Sequence, residues 1–198
     1  YAATLTNDNA RKEAIYKKTV ELYPSDCRAY NNLGMMAYAA GDKAAAENYF
    51  KQALSKNASS AEANTNMGLC ELVKGNVANA ETYLSKSTGA NTANEALGNL
   101  YIKQGQYDRA VNAFGDTKTN SAALAQILAK DYNKAKNTLN AVKNPDAYTD
   151  YLMAIVGART NNADLVKSSM AKVAQKDASL AAKAQDDREF AKYANEIK

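Results

Sequence analysis

The sequence predicts an all-α chain, a solenoid of stacked antiparallel helix pairs closed by C-terminal capping helices. Three observations carry this. First, two short amphipathic stretches flank Gly41-Asp42. Tyr30, Leu33, Gly34, Ala37 and Tyr38 recur at helical spacing before the turn, and Ala46, Tyr49, Phe50, Ala53 and Leu54 recur after it. Helices this short cannot bury an apolar stripe alone, so the two fold onto each other as an αα-hairpin. Second, the pattern returns 34 residues later: Gly34 as Gly68, Gly41 as Gly75, Ala46 as Ala80. A fixed period of this size marks a repeat architecture. Third, only two prolines and few β-branched runs interrupt 198 residues, which favours helix throughout.

Each element follows from local chemistry. Residues 1–26 read as a lead-in and a solitary helix, with residues 1–10 polar and frayed. From Asn9 a helix runs through Ala14, Ile15, Thr19 and Leu22 until Pro24 stops it. It has the character of the second helix of a repeat whose first helix is missing or degenerate, so further chain upstream is expected. Ser25-Asp26 caps the next helix. Five hairpins are expected over 27–60, 61–90, 91–116, 117–144 and 145–176. In the second, Met67, Gly68 and Leu72 precede the Gly75-Asn76 turn, and Ala80, Tyr83 and Leu84 follow it. The third places Leu97-Gly98 only 30 residues after Gly68, so about one turn is lost from the preceding helix or its exit loop. In the fourth and fifth, Ala123 and Ala154 replace the glycine of the tight position. Asn144-Pro145-Asp146 separates them. Residues 177–198 are expected to form two capping helices, the last carrying Phe190, Tyr193 and Ile197 at helical spacing.

Tyr30, Leu33, Gly34, Ala46, Phe50 and Ala53, repeated at this period, resemble the packing residues of the tetratricopeptide repeat family. The resemblance implies a right-handed superhelix in which the first helix of each pair lines a concave wall. The leading YPSDCRAYNNLG and trailing DDREFAKY are also similar to repeat regions of Bacteroidetes cell-envelope proteins, some of them OmpA-associated. That implies a periplasmic or outer-membrane-associated place, with the cytoplasm as the alternative.

Composition narrows the chemistry. The chain contains no histidine, which removes the commonest general base and metal ligand. No phosphate loop or nucleophile elbow occurs, and Asp186-Asp187 reads as a helix cap. No catalytic residue, metal or cofactor is expected, and the chain is read as not an enzyme. Charges of both signs are dispersed, with a formal net of +4; nucleic-acid binding would call for a clustered basic stripe. No window supplies the ~18 apolar residues of a membrane span. Cys27 and Cys70 are offset by nine register positions, roughly 13 Å at ~1.5 Å per residue. A disulfide needs Cα atoms within about 7 Å, so two free thiols are expected. Asn57-Ala58-Ser59 fits the glycosylation pattern, which short sequences match by chance.

The resemblance assigns a partner-binding groove to Asn31, Asn32, Met35 and Tyr38 in the first pair and Asn66, Leu69 and Leu72 in the second. It adds Glu95, Asn99 and Lys103 in the third and Tyr151 in the fifth. Asn32 and Asn66 share a register position where superhelical relatives carry an asparagine ladder. A carboxamide donates and accepts at once, so it can hold an extended peptide backbone; bonding to neighbouring helices is the competing use. The Lys and Asn clamp of the family's chaperone-tail variety is absent, since Asn31 and Met35 stand there. The function expected is a non-catalytic scaffold, a monomer that binds a protein or extended peptide. The alternative is a structural spacer or self-association module of a larger envelope protein.

Overall fold

The computed structural model describes residues 8–87, 89–195 and 197. Among them there are helices and turns and no strand. The chain divides into two compact units, Tyr1–Leu97 and Gly98–Lys198.

The first unit contains α1 (Asn9–Leu22), α2 (Cys27–Ala39), α3 (Lys43–Lys56), α4 (Ala61–Lys74), α5 (Val77–Ser85) and the start of α6 (Asn91–Lys103). Side-chain oxygens start most of these helices. Asp8 accepts from Ala10 N, Asp26 from Arg28 N, Asp42 from Ala45 N and Ser60 from Ala63 N. Each satisfies at least one orphan donor of a first turn, and Asp8 also accepts from Arg11 N. The frayed lead-in expected over residues 1–10 ends sooner, because the Asp8 cap makes Asn9 and Ala10 helical; residues 1–7 lie outside the described residues. Gly34 explains the closeness of α2 to α3, since a Cβ there would stand 2.5 Å from the Phe50 ring. Gly68 meets Leu84 in the same way. The missing turn falls in α5, which has 9 residues against 14 in α3. The chain leaves α5 through Ser87, whose buried hydroxyl donates to Ala61 O at 2.8 Å.

The second unit holds the rest of α6, α7 (Tyr107–Phe114), α8 (Asn120–Leu128), α9 (Tyr132–Asn140), α10 (Ala147–Arg159), α11 (Ala163–Lys176) and α12 (Ala178–Gln185). Gly98 lies against Phe114 as Gly34 does against Phe50. The span 117–144 forms a complete, short pair of two nine-residue helices. Ala123 packs there with Ala135 and Leu139, and Ala154 packs with Val166 and Met170. The tight position therefore reads Gly against Phe or Leu in the first three pairs and Ala against Leu or Met in the last two.

The final element corrects an expectation. Arg188–Tyr193 is a 3-10 helix of six residues, not an α-helix, started by the Asp187 carboxylate on Glu189 N. A 3-10 turn places residues i and i+3 on one line. Phe190 and Tyr193 stand three apart, and both are buried among Ala154, Val166, Met170 and Val173.

Candidate partner-binding surface

In the first unit the candidate groove residues of the first two helix pairs lie on α2 and α4. Asn31 is buried rather than open: its Oδ1 accepts from Asn66 Nδ2 at 2.9 Å. This bond joins the two helices, so the neighbour-helix use accounts for Asn31 and for one donor of Asn66. Asn32, at the same register as Asn66, is half-buried and lines a different cleft, beside α1. Leu69 and Leu72 are half-buried. Met35 is 53% exposed, Tyr38 44% and Val73 59%, and such exposure of large apolar groups is what a binding face requires. Tyr38 and Val73 share a cleft of about 250 Å³ with Cys70 and the Glu47 and Lys74 side chains. The register places Val73 on the same wall beside Leu72, and it is the most exposed of Met35, Tyr38 and Val73.

A charged network borders this cleft and ties α3 to α4. Lys74 pairs with Glu47 at 2.5 Å and Glu71 at 3.1 Å, and Lys51 pairs with Glu47 at 2.7 Å. The buried Glu71 also accepts from Asn76 at 2.9 Å and Asn79 at 3.2 Å. The Asn76 hydrogen bond, then Lys74, hold its carboxyl below the usual 4.5. Lys51 and then Lys74 do the same for Glu47. A carboxylate with a depressed folded pKa stabilises the fold above its unfolded value, and that contribution is lost as pH falls through the folded pKa. The melting temperature should therefore fall as pH drops below about 4.5. Glu71→Gln should lower it at pH 7 and flatten the acid limb. Parallel curves for the two proteins would exclude Glu71 as a source of acid lability.

Cys70 and Cys27 are free thiols, Cys70 buried. Burial, then the Glu47 charge, pushes the Cys70 thiol up, so it packs as a small apolar group.

In the second unit Tyr151 departs from its expected role. Its hydroxyl donates to Asp187 Oδ2, and its ring meets Phe190 edge-on at 5.6 Å. Arg159 reaches Glu189 with Nε at 2.7 Å from Oε2. The chain's own C-terminal segment thus covers the part of α10 assigned to a partner. Register identified the face of α10 but not what lies on it. Burial and the Asp187 bond raise the Tyr151 pKa well above the ordinary 10. Tyr148, stacked on Tyr151 at 6.2 Å, stays 39% exposed. On α6, Asn99 and Lys103 are exposed and Glu95 is half-buried. Tyr101 is covered by Arg109, whose guanidinium lies 4.1 Å from the ring centroid and donates to its hydroxyl at 2.8 Å.

Among the described residues no three His, Cys, Asp or Glu side chains could hold a metal. No helix there is long and apolar enough to cross a membrane.

Tetratricopeptide repeat models match residues 31–95 and 95–118. No curated protein matches the chain. Among solved structures, one described as a functional characterization of Pseudomonas aeruginosa pilF superposes with a TM-score of 0.70 at 14% identity, covering 95% of this chain and 90% of its own. YrrB, described as a TPR protein with an unusual peptide-binding site, gives 0.66 at 18% identity, covering 83% and 93%. PilW, a type IV pilus biogenesis factor, gives 0.61 at 21% identity, covering 85% and 86%. These likenesses establish the fold, a tetratricopeptide-repeat solenoid of stacked helix pairs.

Proposed function

We propose that this chain, whose residues 31–118 match tetratricopeptide repeats, is a non-catalytic scaffold that holds a peptide segment of a partner protein on the inner face of α2 and α4. The carrying observation is the cleft between exposed Tyr38 of α2 and exposed Val73 of α4, closed on its third side by Lys43, Ala44 and Glu47 of α3. It accepts an apolar side chain of the peptide against the two residues and Cys70. Asn66, with only one donor committed to Asn31, can pair with the peptide backbone, and Met35 extends the apolar contact. Aromatic anchors in a pocket rimmed by charge are the arrangement from which hot spots arise. The peptide-binding site named for YrrB supports this reading by analogy of fold alone. We place the protein in the periplasm or at the outer membrane, acting as a monomer.

A random peptide library selected on the native chain and counter-selected on Tyr38→Ala/Val73→Ser tests this. Both side chains are exposed, so the variant should melt within a degree or two of the parent. Selected peptides should bind the variant at least about tenfold more weakly. Equal binding to both proteins, or no enrichment on the native chain, would remove the inner-face assignment.

A further inference from the structure

A second cleft, of about 740 Å³, lies between the N-terminal half of α1, the C-terminal half of α2 and the start of α3. Among the described residues no helix covers it, and α1, 14 residues long, has no buried residue at all. The repeat register identifies what this surface is. Lys12, Tyr16 and Thr19 stand 34 residues before Ala46, Phe50 and Ala53, the buried residues that α3 turns inward. Phe50 receives Gly34 of α2. On the other wall, Asn32 stands 34 residues before Asn66, the side chain by which α4 grips Asn31 of α2. Tyr16 and Asn32 both line the cleft. It therefore repeats, one period earlier, the two surfaces between which α2 itself is held.

One residue departs from the repeat. Lys12 occupies the position of Ala46, which is fully buried. It lines the cleft, half-buried, and makes no ion pair among the described residues. An ammonium at the base of an apolar seat selects for a carboxylate opposite it. In the α2–α3 pair the residue packed against the Ala46 and Phe50 cluster is Ala37.

We propose that this cleft is the seat of an amphipathic helix donated by a partner protein. The helix carries a glycine or alanine over Tyr16, a carboxamide or similar acceptor for Asn32, and an acidic side chain one turn on that meets Lys12. Continuity with the α2–α4 contact fixes the kind of helix; of the charged groups lining the cleft, Glu13 is paired with Lys17 and Asp42 caps α3, which leaves Lys12 to set the charge of the incoming helix. Met35 borders both this cleft and the proposed inner-face contact, whereas Tyr38 and Val73 do not line the cleft, so changes at those two distinguish the sites.

The probe is a fluorescently labelled peptide with the sequence of residues 26–41 carrying Ala37→Glu, titrated into the whole chain and followed by anisotropy. The unsubstituted sequence and an Ala37→Lys peptide serve for comparison. The Glu peptide should bind about 3–5-fold more tightly than the unsubstituted one, the range of a partly exposed ion pair. In Lys12→Glu the order should reverse, with the Lys peptide the tightest. This variant lies on a half-exposed side chain, and the reversal itself shows that the protein is folded. Tyr38→Ala/Val73→Ser should bind all three peptides as the native chain does. No saturable binding by any peptide would overturn the proposal, as would a ranking unchanged in Lys12→Glu. Loss of binding in Tyr38→Ala/Val73→Ser would move the peptide to the inner face. Sedimentation equilibrium of the chain alone, showing a dimer abolished by Lys12→Glu, would assign the cleft to a second copy instead.

Discussion

Phe190→Ala is expected to destabilise the second unit by about 3–5 kcal/mol, the cost of removing a fully buried aromatic ring from a packed site. Phe190 is 1% exposed. It sits among Ala154, Val166, Met170 and Val173 and meets Tyr151 edge-on. Six residues of 3-10 helix have little intrinsic stability, so the ring is what holds this segment to α10 and α11. Its loss should free Arg188–Tyr193 and make the bonds after Arg188 and Lys192 sensitive to trypsin under native conditions. It should also release Tyr151 from Asp187. The Tyr151 hydroxyl, raised above 10 by burial and then by the carboxylate, should then titrate nearer the ordinary value. That shift is visible as a change in the tyrosinate difference spectrum. A variant with an unaltered melting curve and unaltered tryptic pattern would show that the cap is held by its polar bonds alone.

The second large effect concerns the tight position between paired helices. Gly34→Ala puts a methyl 2.5 Å from the Phe50 ring and 3.1 Å from Ala46 O. Neither an aromatic ring in a packed core nor a helix backbone yields easily, so about 1–3 kcal/mol is lost, less the ~1 kcal/mol by which alanine exceeds glycine in a helix. Phe50→Leu alone leaves a gap and costs on the order of 1–2 kcal/mol. The two together should cost less than their sum, with a favourable coupling of about 1 kcal/mol or more, as for residues in direct contact. The chain supplies the precedent: Ala123 and Leu139 make this same pair in α8 and α9. Urea unfolding of the four proteins closes the cycle. Strict additivity would mean that α2 moves away from α3 without regard to the ring.

Much of this was legible in the sequence because the determinants are local. Gly34, Gly68 and Gly98 mark helix crossings where a side chain has no room, and Asp26, Asp42 and Asp146 mark helix starts through a single side-chain bond. The 30-residue interval before Gly98 called for a turn lost from the preceding helix or its exit loop, and the loss falls in the helix, α5. Period and cap chemistry do not depend on what lies across the fold. The candidate site was less legible because exposure does depend on it. Asn31 and Asn32 are adjacent in sequence but about 100° apart around a helix. One is closed off by Asn66, whereas the other faces a cleft beside α1. Tyr151 lies on the expected helix, yet the chain returns 36 residues later to cover it. The α-helical spacing of Phe190, Tyr193 and Ile197 contained the 3-10 alternative all along, because a spacing of three suits both geometries.

The covering of Tyr151 has a consequence for how copies of the chain meet. Tyr151 stands three residues before Ala154, as Asn31 stands three before Gly34, and Asn31 is where the following helix pair takes hold. Left bare, that surface would be open to the N-terminal helices of another molecule in a head-to-tail contact. A heterologous contact of that kind does not close on itself and grows into fibres. Asp187, Glu189 and Phe190 occupy the surface first, each against a named partner in α10. The six-residue 3-10 helix is therefore a chain terminator in the polymer sense, folded back on α10 from the same chain.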